Sequence, residues 1–348
     1  MPLPVLERAR EELLSIGGAG MSIMEMSHRS SHFGEVLASA ESGLRELLQV
    51  PQNYRILFLQ GGASLQFAMI PMNFLSKDSV ADHLVTGAWG VKAVAGARRS
   101  GRVNVIYSGE EDGYRSVPDQ SQLRFSSDAA YVHYTSNETI DGVEFKYDLD
   151  GAGIPVICDA SSNILSKPID IQKYALIYAG AQKNIGPSGV TVVIIRDDML
   201  ERVPGDQFAL FDYRHIARES SMANTPNTWG IYIIGLVCAW LRDQGGIDGM
   251  RQRNEEKAAI LYSFIDGSDG FYRGHAERNC RSLMNVTFRL PSPELDDKFC
   301  AEATALGLDG LRGHRSVGGI RASIYNAFPR EGVEALVDLM KEFSARNG

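Results

Sequence analysis

Cysteine is scarce in this chain. Its four thiols among 348 residues, Cys158, Cys238, Cys280 and Cys300, show no paired metal-type spacing and no disulfide framework. The sequence therefore asks for no metal, and reduced thiols are expected. Long apolar runs are also missing. The longest, Ile231 to Leu241, is interrupted by Gly235 and is too short to span a bilayer. The opening Met1-Pro2-Leu3-Pro4, followed by the charged run Glu7 to Glu12, lacks the apolar centre of a signal peptide. Positive charge is not in excess: 35 Lys and Arg against 43 Asp and Glu leave a net charge of −8. That balance argues against sequence-independent nucleic-acid binding and leaves room for small anions at local basic sites. No repeat or low-complexity tract occurs. What remains, 44% hydrophobic and 22% charged, is an ordinary globular composition, expected in the cytoplasm with neither membrane nor nucleic acid as partner.

The length suggests two domains. From about Tyr54 to Arg196, strand-like runs alternate with helical ones. Strands are predicted at Tyr54–Leu59, Val80–Val85, Val103–Tyr107, Ala130–Tyr134, Ile154–Asp159, Tyr174–Ala179 and Val190–Ile195. Helices are predicted at Leu65–Leu75 and Ala88–Arg99. The alternation predicts an α/β domain with a mainly parallel sheet. After Gly245-Gly246 the pattern changes to a charged helix, a strand near Leu283–Leu290, a helix near Pro293–Leu306, a strand-like Arg321–Ala327 and a last amphipathic helix. The expected division is a large domain over 1–245 and a smaller α+β domain over 246–348, with the first fifteen or so residues packing on the smaller one.

One lysine is hard to explain structurally. Lys183 lies in Tyr178-Ala179-Gly180-Ala181-Gln182-Lys183-Asn184-Ile185-Gly186-Pro187, between two runs that read as buried strands. A lysine held there is costly unless its ammonium is paired or its amine is used, and the main use is a Schiff base to a carbonyl cofactor. Taken alone, a surface loop lysine is the better reading. Upstream, Ile154-Pro155-Val156-Ile157-Cys158-Asp159 puts a carboxylate at a strand end, where open α/β sheets bind ligands. Pyridoxal phosphate needs such a carboxylate to keep its ring nitrogen protonated. Without Lys183, Asp159 would read as a turn or helix-cap residue.

Other segments carry weaker signals, each with a plain alternative. Gln60-Gly61-Gly62-Ala63-Ser64 joins a strand to a helix, and its free N–H groups suit a phosphate, although many such loops carry two glycines. Asn224-Thr225-Pro226-Asn227-Thr228 opens the apolar helix from Trp229 to Leu241, either as a cap with Pro in the first turn or as a second phosphate contact. Trp89 is a ring partner for a flat cofactor or a core tryptophan. His28-Arg29 and the glycine-rich segment Gly313–Ser323, with His314, Arg315 and Arg321, suit a doubly charged anionic substrate or form a solvated basic patch. The glycines favour the first reading, because they imply close backbone approach.

Together these segments resemble the phosphoserine aminotransferase family, class-V members of the fold-type I pyridoxal-phosphate enzymes. The resemblance covers nearly the whole chain. It rests on Met24-Glu25-Met26-Ser27-His28-Arg29, Asn137-Glu138-Thr139-Ile140-Asp141-Gly142, the Lys183 segment, Asn224-Thr225-Pro226 and Gly313 to Asn326. It implies a seven-stranded sheet in the large domain, pyridoxal 5'-phosphate as cofactor and a homodimer with shared active sites. It implies reversible amino transfer between glutamate and 3-phosphooxypyruvate in serine biosynthesis, with a phosphorylated hydroxythreonine of pyridoxine biosynthesis as a further substrate.

Residue by residue, the resemblance implies that Lys183 carries the Schiff base and Asp159 pairs with the pyridine nitrogen. Trp89 would stack on the ring, and Thr139 and Gln182 would bond the cofactor. Ala63 and Ser64 would hold its phosphate, joined by Asn224 and Thr225 of the partner subunit. His28, Arg29, His314 and Arg315 would take the substrate's phosphate or side-chain carboxylate, and Arg321 its α-carboxylate. Two departures carry expectations. Relatives place a segment ending in Ser/Ala-Gly-Pro before the Leu-Pro that is here Leu3-Pro4, and its absence is expected to limit activity. Some relatives have Arg at the position of Ser64, so one phosphate contact is expected to be weaker. Rival readings are a cysteine-desulfurase-type lyase, which needs a nucleophilic Cys on a mobile loop, and a cofactor-free binding protein on the same scaffold.

Overall fold

The β-branched runs of the first two hundred residues pair into one sheet, described over residues 1–348 by a computed structural model. Its strands are β1 (Tyr54–Leu59), β2 (Val80–Val85), β3 (Arg102–Ser108), β4 (Ala129–Thr135), β7 (Val156–Asp159), β8 (Leu176–Gly180) and β9 (Thr191–Arg196). The numbers β5 (Asn137–Glu138) and β6 (Val143–Glu144) belong to a short separate hairpin. The sheet order is β1-β9-β8-β7-β4-β2-β3, with β9 antiparallel to both neighbours and every other pairing parallel. The α/β fold with a mainly parallel seven-stranded sheet is thus as expected.

Both faces of the sheet are covered, which explains why its central strands read as continuous apolar runs. Ile177 and Ala179 face one core with Val192 and Ile194; Leu176 and Tyr178 face the other with Val193 and Ile195. The first face is covered by α2 (Ser31–Leu47) and α7 (Thr228–Asp243), the second by α3 (Gly62–Phe74), α4 (Ala88–Ala97) and α6 (Tyr213–Arg218). A single turn, α5 (Asp197–Leu200), follows β9. Ser30 caps α2 by accepting the Phe33 N–H, and Asn227 caps α7 by accepting that of Gly230 at 2.8 Å. The cap of α7 is therefore Asn227 rather than Asn224, and Pro226 precedes the helix instead of lying in its first turn.

The helix α1 (Leu3–Glu11) buries Val5 and Ala9 in the core beneath α7, and Tyr232 of α7 donates to Glu12. The first residues thus pack on the large unit, not on the small one as expected, because α1's apolar stripe meets α7. Beyond it, α8 (Gly246–Asp266) serves two cores. Ile247 and Met250 join the large one, whereas Ala258, Leu261 and Ile265 join a second core under a small antiparallel sheet. That sheet has the order β10 (Arg273–Gly274), β11 (Asn285–Arg289), β12 (Ile320–Ser323), and it is backed by α9 (Pro293–Ala305) and α10 (Arg330–Asn347). No helix is long and apolar enough to cross a membrane.

A buried lysine ties this second unit together. Lys257 of α8 is 3% exposed, and its ammonium donates to the carbonyls of Ile324 (3.0 Å), Tyr325 (2.8 Å) and Phe328 (3.1 Å). Burial lowers its affinity for a proton to a pKa of about 8. Replacing it with Met keeps the stem and strands the Ile324 and Phe328 carbonyls, while that of Tyr325 keeps the Phe328 N–H at 2.8 Å; each unmet buried group costs about 1–3 kcal/mol. Lys257→Met is expected to lower the thermal midpoint and lose about 3 kcal/mol or more in denaturant unfolding. A loss under ~1 kcal/mol would show that water satisfies those oxygens.

Candidate active site

Strands β4, β7 and β8 end side by side, the place where such sheets bind ligands. Asp159 closes β7 and is 4% exposed. Its Oδ1 accepts the Ser161 N–H at 2.9 Å, and its carbonyl accepts the Ser136 N–H, so the carboxylate is fixed with one oxygen left for a further donor. Burial pushes its carboxyl above the usual range, opposed by the Ser161 hydrogen bonds and the charge of Lys183.

Lys183 stands at the tip of the β8–β9 hairpin. The N–H groups of Ile185 and Gly186 both return to the Ala181 carbonyl, at 3.2 and 2.9 Å, and wind the tip into one turn. Fully buried Ala181 and Ile185 anchor it, and Asn184 donates to the carbonyls of Ser162 and Ile164. The Lys183 backbone is thus held on both sides while Nζ lies 5.5 Å from the Trp89 ring centre. Burial lowers its ammonium below the usual lysine range, against the opposing pull of Asp159 and Glu138. Its neighbour Gln182 is exposed and folds back over Gly180, where a Cβ would come within 2.7 Å of its Oε1.

Trp89 opens α4, and the β5–β6 hairpin holds it there. Glu138 accepts the backbone N–H groups of Trp89 (3.1 Å) and Gly90 (2.8 Å), while the Trp89 indole N–H donates to Thr139 Oγ1 at 3.1 Å. Burial lifts Glu138 to about 8 and neighbouring Asp141 to about 6. The hairpin is bonded in turn to the small sheet, through Thr287 to the Asp141 carbonyl (2.8 Å) and Asn137 to Asn285 (3.0 Å). Arg321 of β12 pairs with Thr287 and reaches back to the Thr139 carbonyl at 3.4 Å, its buried Nε unpartnered.

At the head of α3, Gly61 and Gly62 adopt φ of +87° and +64°, a conformation that suits glycine. A Cβ on Gly61 would collide with Leu65, and no side chain caps the helix. Ala63 and Ser64 lie in its first turn, where N–H groups have no helical acceptor. Such an end attracts a phosphate.

The remaining expected residues are not joined to this cluster within one chain. Asn224 and Thr225 are exposed, linked to Gln60 at 3.4 and 3.3 Å, just before the α3 loop. His28 and the exposed Arg29 precede α2, and that loop touches α7 through Thr228 and the Ile23 carbonyl. Neither side chain bonds Lys183, Asp159 or Trp89. His314 pairs with Ser316 at 2.7 Å, and Arg315 is exposed. The glycines around them serve the loop itself: a Cβ on Gly313 would meet the Gly318 carbonyl at 2.0 Å. The close approach expected there is between two parts of one loop.

Two contributors were not expected. Ser161, which fixes Asp159, and Glu138, which fixes Trp89, act through backbone contacts that leave no periodic signal. Glu138 lies within the Asn137–Gly142 segment, and its burial in the fold reveals its role. All four cysteines are free and buried, and burial raises each thiol, Cys158 and Cys238 to about 12. None is the reactive thiolate that a desulfurase requires.

Residues 1–336 match the family model of the class-V aminotransferases, and the chain belongs to that family of pyridoxal-phosphate-dependent transaminases. It is 52% identical to the phosphoserine aminotransferase of Laribacter hongkongensis, covering 100% of this chain and 97% of that one. The phosphoserine aminotransferase of Geobacillus kaustophilus is 51% identical, over 99% and 96%. In structure it is similar to the phosphoserine aminotransferase of Bacillus circulans subsp. alkalophilus, with a TM-score of 0.98 at 47% identity over 100% and 96% of the two chains. The pyridoxal-phosphate-bound enzyme of Trichomonas vaginalis gives 0.93 at 42%, over 98% and 97%. Within the class, the chain is a member of the phosphoserine aminotransferase family.

The residues present fit pyridoxal phosphate. The uncapped α3 end offers N–H groups to its phosphate, Asp159 an anion to its ring nitrogen, Trp89 a flat face and Lys183 an amine already shifted toward neutrality.

Proposed function

We propose that this protein transfers an amino group reversibly between glutamate and 3-phosphooxypyruvate, giving 2-oxoglutarate and phosphoserine, in serine biosynthesis. The observation that carries the reading is Lys183, its ammonium weakened by burial, over Trp89 and under the opposing pull of Asp159 and Glu138. The full-length likeness to phosphoserine aminotransferases supports the choice of substrates.

Pyridoxal phosphate, when bound, supplies an aldehyde for covalent attachment and a ring that draws electrons from the substrate's Cα. Lys183 Nζ would hold the cofactor covalently and, as a free amine, would accept the substrate's Cα proton as base and donate it back as acid. Asp159 would hold the proton of the ring nitrogen by direct ion pairing. Trp89 would offer the ring a flat apolar face that excludes water. Thr139 and Gln182 would bond the cofactor, and Ala63 and Ser64 would hold its phosphate.

Arg321 takes the α-carboxylate in two-point geometry, and His28, Arg29, His314 and Arg315 take the phosphate or the second carboxylate. A homodimer whose partner's Asn224 and Thr225 complete the phosphate site belongs to this reading; within one chain Asn224 and Thr225 are held on Gln60 and bond neither Lys183 nor Asp159. The reading extends to the phosphorylated hydroxythreonine of pyridoxine biosynthesis and to a cytoplasmic location. It retains a division near residue 245.

Half-reaction spectra test the assignment. Glutamate, and in the reverse direction phosphoserine, should each shift the visible absorption of the holoenzyme, whereas cysteine should release no sulfide. A holoenzyme that answers to glutamate but not phosphoserine would remove the phosphate specificity. Arg321→Ala should raise KM for both amino donors by about 10²-fold or more, since stranding a charge from its partner costs about 2–5 kcal/mol. An unchanged KM would move the carboxylate site elsewhere.

A further inference from the structure

Glu138 is fully buried at the end of a two-residue strand, without a cationic side chain bonded to it. Both carboxylate oxygens are spent on one task. Oε2 accepts the Trp89 N–H at 3.1 Å and Oε1 the Gly90 N–H at 2.8 Å, at the head of a ten-residue helix with no capping side chain of its own. The next residue, Thr139 in the turn of the hairpin, accepts the Trp89 indole N–H. Backbone and side chain of Trp89 are therefore gripped by two adjacent residues of one hairpin, which is itself bonded to the small sheet that carries Arg321.

The indole bond has a consequence for Thr139. A hydroxyl that accepts from an N–H keeps its own proton free, so Thr139 has that proton to donate into the site. The grip also has an outer wall. Gly87 has an extended backbone (φ 170°) that any residue adopts, yet a Cβ there would lie 2.6 Å from Glu138 Cδ and 2.8 Å from Asp141 Oδ2. The absence of a side chain at 87 is thus explained by the carboxylate and not by backbone strain.

We propose that Glu138 is a positioning residue for the cofactor ring: by holding the Trp89 backbone it sets the plane of the indole and, through it, the donor direction of Thr139. This inference deepens the transaminase reading and rests on the pyridoxal-phosphate site described above. Both oxygens of Glu138 are taken up by the head of α4.

The test is the binding of pyridoxal phosphate to the apoprotein, followed by quenching of Trp89 emission in a Trp229→Phe, Trp240→Phe background. Glu138→Gln turns one acceptor into an NH₂ facing an N–H. It should raise the Kd about tenfold or more and reduce the quenching at saturation, a tenfold change being about 1.4 kcal/mol. The decisive comparison is a double-mutant cycle followed by absorbance, because a general loss of stability would persist whatever stands at position 89. With Trp89→Ala in place, the Kd penalty of Glu138→Gln should disappear. If Glu138→Gln does not fold, Gly87→Ala displaces the same carboxylate from outside and should show the same dependence on Trp89. A Kd within twofold of the parent, or a penalty that survives Trp89→Ala, overturns the proposal. A parent apoprotein that binds no pyridoxal phosphate would instead sink the cofactor site itself.

Discussion

Lys183→Ala is expected to abolish turnover and to remove the visible absorption of covalently attached cofactor. Proton transfer by a positioned side chain alone contributes about 10²–10⁴ in rate. Lys183 also provides the covalent tether, so the loss in kcat should reach the upper end of that range or exceed it. The fold should not suffer. Removing a partly buried ammonium whose proton is weakened by burial relieves a desolvation cost, and the hairpin tip is held by Ala181, Ile185 and Asn184 instead. The variant should therefore melt at or above the parent temperature as apoprotein. A variant that keeps the absorption band, or more than a tenth of the parent kcat, would remove Lys183 from the centre of the site.

Asp159→Asn should cost about 10²–10³ in kcat, the usual penalty for losing one preorganised electrostatic partner. Asn preserves the size of the side chain and an acceptor oxygen for the Ser161 N–H, so the loss reports charge rather than shape. Stability should move the other way. Burial raises the Asp159 carboxyl in the folded apoprotein. Its contribution to folding is therefore whole below the unfolded carboxyl pKa, near pH 4, and is lost as pH rises through the folded value. Asp159→Asn removes that loss, so the apoprotein variant should match or exceed the parent midpoint at neutral pH. With pyridoxal phosphate bound the order should reverse, because only the parent gains the ion pair. A variant with parental kcat would show that the ring nitrogen needs no anion from β7.

The two predictions concern residues that stood out in the sequence, and the reason is local. Asp159 closes the apolar run of β7 and Lys183 follows that of β8, and the two in that order stand out where either alone would not. The strands were legible because central strands covered on both faces read as near-continuous apolar runs. The early helix was harder. The charged run Glu7 to Glu12 hides its apolar positions, and the position of α7 decided that Val5 and Ala9 pack on the large unit. The glycines of the Gly313–Gly319 loop likewise announced close approach without saying of what to what, and the answer is the loop against itself.

The amino-acid sequence by itself determined the alternation of strands and helices, the ends at which Asp159 and Lys183 emerge, and the family to which those motifs belong. Tertiary structure alone decided that Glu138 grips Trp89, that Ser161 steadies Asp159 and that Lys257 answers three carbonyls. It also decided that Asn224 and Thr225 are held on Gln60 within one chain. The physical reason is that burial of an apolar residue follows from its own strand or helix, whereas a buried polar group is defined by the partner that satisfies it. Such partners can come from far along the chain, as Asn285 does for Asn137, and no local pattern records them.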